Sequence, residues 1–170
     1  MNRFGWLLAL PVLLLASGCA GYRLGPVNGM AAGARSVEIN PIVNQTVEPR
    51  LGEEVTAGLR RQLQRDGTYR LATHGEGDIQ VSGVVNRYLR VEISLSPKDT
   101  LTVQDYRLEI RAQVTAVERG TGKVLLNQPV SGFTLIRVTN DITSTERQAL
   151  PLLANDLAKN IVALLSEGTW

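Results

Sequence analysis

The sequence predicts an α+β fold: a two-layer sandwich whose four-stranded mixed or antiparallel sheet carries two helices on one face, in the order β-α-β-β-β-α. Two apolar stripes of helical spacing predict the helices, Leu51, Val55, Leu59 and Leu63 near the start and Leu150, Leu153, Leu157, Ile161 and Leu164 at the end. Between them run long stretches of period two, the signature of strands with one wet face. The composition, 44% hydrophobic and 20% charged, is that of a folded domain. With one cysteine in 170 residues, no disulfide can form within the chain, so the core alone must hold it.

Taken in order, Val37 and Ile39 alternate with Glu38 and Asn40 before Pro41 and predict a short first strand. Pro49 opens the first helix. Glu53 and Glu54 lie in its first turns and Arg60, Arg61 and Arg65 near its end, each sign where the helix dipole favours it, and Asp66-Gly67 ends it. From Gly77 the period becomes two. Ile79, Val81, Val85, Leu89, Val91, Ile93 and Leu95 take odd positions and polar residues the even ones, with Val84 and Tyr88 breaking the rule. After a turn at Ser96-Pro97-Lys98-Asp99, Leu101 and Val103 are odd but Tyr106, Leu108, Ile110, Ala112, Val114 and Ala116 even, a parity switch that predicts a β-bulge near Asp105. "RGTGK", residues 119–123, predicts a hairpin turn into a third long strand over residues 124–138, where Pro129 marks an edge or a bulge. In the last helix Thr143 and Glu146 have capping-box spacing, and Pro151 predicts a kink or a start near Leu150.

The beginning of the chain has another grammar. One positive charge, about a dozen apolar residues and the small residues Ala16, Ser17 and Gly18 follow one another as in an export signal. The run is too short to cross a bilayer, which takes about 20 apolar residues. Leu15-Ala16-Ser17-Gly18-Cys19 resembles the lipobox of bacterial lipoproteins, although Ala16 stands where Leu is commoner. The resemblance implies removal of residues 1–18 and acylation of Cys19, an anchor strengthened by about 0.8 kcal/mol per buried methylene. Ala20 rather than Asp after the cysteine implies release to the outer membrane. Residues 19–35, rich in Gly and Ala, read as the lipidated N-terminus and a tether, and residues 36–170 as one domain. The balance of 18 Lys and Arg against 16 Asp and Glu argues against a nucleic-acid partner.

Four stretches carry a further likeness: "GYRLG" from Gly21, "PIVNQTVEPRLGEEVTAGLRRQL" from Pro41, "YRLEIRAQV" from Tyr106 and "TGKVLLNQPVSG" from Thr121. In this order they resemble the LptE family of LPS-assembly lipoproteins. Ala20 separates Cys19 from the Gly-Tyr pair that usually follows directly, and Ile42-Val43 stands where an aromatic often precedes the Asn. The resemblance implies an outer-membrane lipoprotein facing the periplasm. It would act as plug and assembly factor of the LptD β-barrel, partly within its lumen, in inserting lipopolysaccharide into the outer leaflet. An alternative role is that of adaptor or auxiliary subunit of another envelope lipid-transport machine, since fold does not fix function.

No catalytic set stands out, and no enzyme activity or cofactor is expected. Glu53 and Glu54 are adjacent on a helix and do not face each other. His74, the only histidine, lies in the Gly-flanked loop "ATHGEGD" and cannot build a zinc site without carboxylates, so no metal is expected. "GTGK" lacks phosphate-loop spacing. The testable constellation is basic. Alternation places Arg90, Arg107 and Arg111 on the solvent face of neighbouring strands, where guanidinium forks can bind the phosphates of lipopolysaccharide. Glu92 and Glu109 share that predicted face, and an ordinary solvated surface with cross-strand ion pairs is the other reading.

Overall fold

The computed structural model of the chain describes residues 31–96, 99–138 and 141–168. The predicted signal, Cys19, the tether as far as residue 30, and residues 97–98 of the predicted turn lie outside the described residues. The elements are β1 (Ser36–Ile39), β2 (Val43–Asn44), α1 (Leu51–Asp66), β3 (Arg70–Ala72), β4 (Ile79–Ser96), β5 (Asp99–Glu118), β6 (Val124–Arg137) and α2 (Ile142–Glu167).

The α+β class and the two helices agree with the sequence, but the sheet has six strands rather than four, ordered β3-β1-β4-β5-β6 with β2 beside β4. The two extra strands, β2 and β3, are only two and three residues long, too short to display a period. They exist because the chain returns beside longer strands: β3 pairs parallel to β1, and β2 parallel to β4. β1 also runs parallel to β4, whereas β4-β5 and β5-β6 are antiparallel, so the sheet is mixed.

The helices share one core with the sheet. Leu51, Val55, Leu59 and Leu63 of α1 and Leu153, Leu157 and Ile161 of α2 are buried against Val37, Ile79, Val81, Val114 and Ala116. Full burial of such a side chain stabilises the fold by about 1.5–3 kcal/mol. Gly67, at φ 73°, caps α1 through its N–H to the Leu63 carbonyl. α2 crosses β6 so closely that a Cβ on Gly132 would stand 2.5 Å from the Leu157 nitrogen.

Two expectations about α2 change. Asp141, not Thr143, caps it: in extended conformation its carboxylate accepts from the N–H of Thr143 and Ser144. Glu146 is thereby free to reach the sheet. The helix also starts at Ile142 rather than near Leu150, so that it runs through Pro151, and Arg147, whose carbonyl loses its bond there, is exposed to water. The expected apolar stripe is otherwise buried, with Leu165 rather than Leu164 the more enclosed at its end.

The residues that carried the family likeness near Asn44 build the entry to α1. Asn44 Oδ1 accepts from the Thr46 N–H and hydroxyl, Asn44 Nδ2 donates to the Glu48 carbonyl at 2.6 Å, and the Glu48 N–H donates to Thr46 Oγ1. Such an Asx arrangement substitutes side-chain bonds for a backbone turn. It also holds Val47 out in water, 93% exposed.

Candidate functional site

The site grows from one extra residue. Along β4 the pairing is Val85 with Ala112 and then Arg87 with Arg111, so Asn86 is left over as a bulge. Before it, Ile79, Val81 and Val85 face the helices and are buried. After it every side chain changes face, as a shift of one residue demands. Tyr88 now packs against the core, while Leu89 and Val91 turn outward, with Val91 44% exposed. Further on, Ile93 is left over between Glu92 opposite Tyr106 and Ser94 opposite Asp105, and on β5 Gln104 is left over where Leu95 pairs with Val103, the bulge expected near Asp105. Ile93 and Leu95 there are also exposed.

Register fixes the outer face row by row. Arg87, Arg111 and Ser131 form one row, Leu89, Glu109 and Phe133 the next, and Val91, Arg107 and Leu135 the third. The predicted trio is therefore divided. Arg107 and Arg111 are on the outer face, but Arg90 points toward the helices, where its Nε lies 3.0 Å from Glu146 Oε1 and its guanidinium 6.0 Å from the centre of the Tyr106 ring. Glu92 goes with it, opposite Tyr106. Arg87, absent from the expected set, takes the place beside Arg111. The interruption of the alternation by Tyr88 was the signal in the sequence for this reversal; Val84, the other exception, precedes the bulge and stays opposite Gln113 on the outer face.

The resulting surface is neither wholly polar nor wholly greasy. Phe133 is 46% and Leu135 63% exposed. Arg107 lies over the Phe133 ring, its guanidinium carbon 4.1 Å from the ring centre, while its buried Nε has no hydrogen-bond partner. Arg111 reaches Ser131 Oγ at 3.4 Å, and Arg87 faces Arg111 directly, an arrangement of like charges that an anion would relieve. At the rim Arg137 forks onto Asp105 at 2.7 and 3.1 Å, and this pairing, with Ser94, holds the Asp105 carboxyl below its usual range. On the inner side, burial and then the charge of Glu146 push the Tyr88 phenol up to about 12.

The opposite end of the sheet is closed by paired charges. Arg35 meets Glu118, Arg119 meets Glu38, and Asp78 accepts from the Ser36 N–H and hydroxyl at 2.7 Å each. These bonds and the nearby charge of Arg35 lower the Asp78 carboxyl. Gly33 and Arg35, assigned to the tether by composition, already hydrogen-bond Thr68 and Arg70. His74 is in an exposed loop beside Thr73, and among the described residues no group of three metal-ligating side chains gathers.

Fold and surface together define a small α+β domain that offers an open sheet face for contact. Among solved structures it is similar to protein XCC0632 from Xanthomonas campestris, at 9% identity over 85% of this chain and 90% of that one with a TM-score of 0.60. It is also similar to protein CT253 from Chlamydia trachomatis, at 12% identity over 82% and 98% with a TM-score of 0.58. A PelC dodecamer from Paraburkholderia phytofirmans gives 16% identity over 85% and 96% with a TM-score of 0.51. At these identities the likeness is one of fold. No curated protein matches the chain. The family model LptE, described as lipopolysaccharide-assembly, matches residues 34–165, and the chain belongs to that family. Its coarse role follows: an envelope-associated protein of lipopolysaccharide assembly.

Proposed function

We propose that this chain is an outer-membrane lipoprotein, fastened by an acylated Cys19, that forms a complex with an LptD-type β-barrel. It serves there as plug and assembly factor while lipopolysaccharide is moved into the outer leaflet, and it carries out no catalysis of its own. The observation that supports this most is the extent of the family match, residues 34–165, which takes in the Asn44 loop, all three long strands and nearly all of α2. A compact domain with one open, partly polar sheet face suits a wet lumen, where the backbone of an exposed sheet edge can stay hydrated.

The test is recovery of the partner. A tag beyond Trp170, mild-detergent extraction of outer membranes and mass spectrometry should return a near-equimolar large β-barrel. Inner-membrane transporter subunits without such a barrel would replace this reading with that of an adaptor for another lipid-transport machine.

A further inference from the structure

Past Asn86, residues 87–96 of β4 have no strand neighbour except β5 among the described residues, and β6 is the last strand of the sheet they form. This part of the sheet is a blade, three-stranded from Arg87 to Ser94 over about 26 Å at the usual rise per residue and two-stranded beyond. Its outer face combines Leu89, Val91, Phe133 and Leu135 with Arg87, Arg107, Arg111 and, at the rim, Arg137, against two carboxylates, Glu109 and the Arg137-bound Asp105. We infer that this face docks on a protein wall carrying carboxylates among aliphatic side chains. The inference rests on the reading above, in which the inner wall of the barrel is that surface.

Three observations select the occupant. A hydrocarbon environment is disfavoured for the blade as a whole, because among the described residues its β4 edge presents backbone groups without a strand partner, and open sheet edges do not occur in lipid. A second copy laid face to face would bring the same arginines against one another, which like charges oppose. The cations are also held in place rather than free: Arg107 is stacked on Phe133 with an unpartnered, buried Nε, and Arg111 is tied to Ser131. Fixed guanidinium groups set into an apolar surface match a carboxylate-bearing wall by charge and by fork geometry. The middle of the β6 edge is meanwhile sealed from within: the Phe133 N–H donates to Asp156 and the Ser131 carbonyl accepts from Asn160. Contact there is directed to the face and not to that stretch of edge.

The experiment uses the full chain in its own envelope, with a photo-crosslinking residue replacing Val91 or Leu135, or replacing Val124, 55% exposed at the other end of β6, as comparator. Adducts with the barrel from Val91 and Leu135, and not from Val124, are expected. Adducts only with lipid, only with a second copy, or equally from Val124 would overturn the inference. A Val91→Asp/Leu135→Asp variant should melt as the native chain does, because both side chains are exposed, yet recover about tenfold less barrel. Undiminished recovery would overturn the docking face while leaving the proposed complex intact. If the native chain recovers no barrel, both readings fall.

Discussion

Single residues in this domain act through close approach and through bonds to backbone. Gly132 lies under α2 with no room for a Cβ, since Leu157 backbone and side chain would stand within 2.5–2.8 Å of it. Gly132→Ala should therefore force α2 from the sheet and cost about 1–3 kcal/mol, seen as a lower melting temperature with unchanged secondary structure. Asp78 works by acceptance, taking the N–H and hydroxyl of Ser36 where the chain enters β1. Its carboxyl is lowered on folding, so its contribution is complete above the unfolded value, near pH 4, and is lost as pH falls through the folded value. Melting temperatures measured from pH 7 down to pH 3 should show a shallower acid limb in Asp78→Asn than in the native chain. At this scale the sequence was informative about type and less so about partner. Thr143 and Glu146 have capping spacing, yet Asp141 supplies the cap because only its extended backbone aims a carboxylate at the free N–H groups.

At the scale of elements, periodicity found everything long. Both helices, the three long strands, the turn at residues 119–123 and the bulge near Asp105 follow from spacing alone, because a buried face imposes its period on the chain. It failed at Asn86. A bulge leaves little mark, here the misplaced Tyr88, and reading through it assigns Leu89 and Val91 to the core and Arg90 to solvent. Deleting Asn86 provides the test. With Asn86 gone, Arg87 follows Val85 in regular alternation, so the deletion should close the bulge and leave Arg87 opposite Arg111, Tyr88 against the core and Arg90 beside Glu146. Hydrogen exchange over the rest of β4 and the first turns of α2 as in the native chain is expected; faster exchange there would mean that the faces of residues 87–92 do not follow from one unpaired residue.

Across the whole molecule, the two ends of the sheet differ in character. The end that the N-terminal segment enters is closed by Arg35-Glu118 and Arg119-Glu38, pairs whose partial exposure makes each worth at most about 1 kcal/mol. The far end is the blade, with its apolar face and fixed arginines. Cys19→Ser should move the protein from the membrane to the soluble periplasmic fraction and abolish incorporation of labelled palmitate. Retention of the label would refute acylation at this cysteine.

The sequence by itself determined the α+β class, the two helices, the long strands and the family, because each is written in local spacing or in short motifs that survive without knowledge of neighbours. The Asn44 loop is such a motif, and its side chains bond almost entirely within five residues. Only the tertiary structure decided which arginines share a surface. That choice depends on cross-strand register, and register counts every residue between two distant segments, so one unpaired asparagine exchanged Arg90 for Arg87 and turned an expected core stripe into a face for contact.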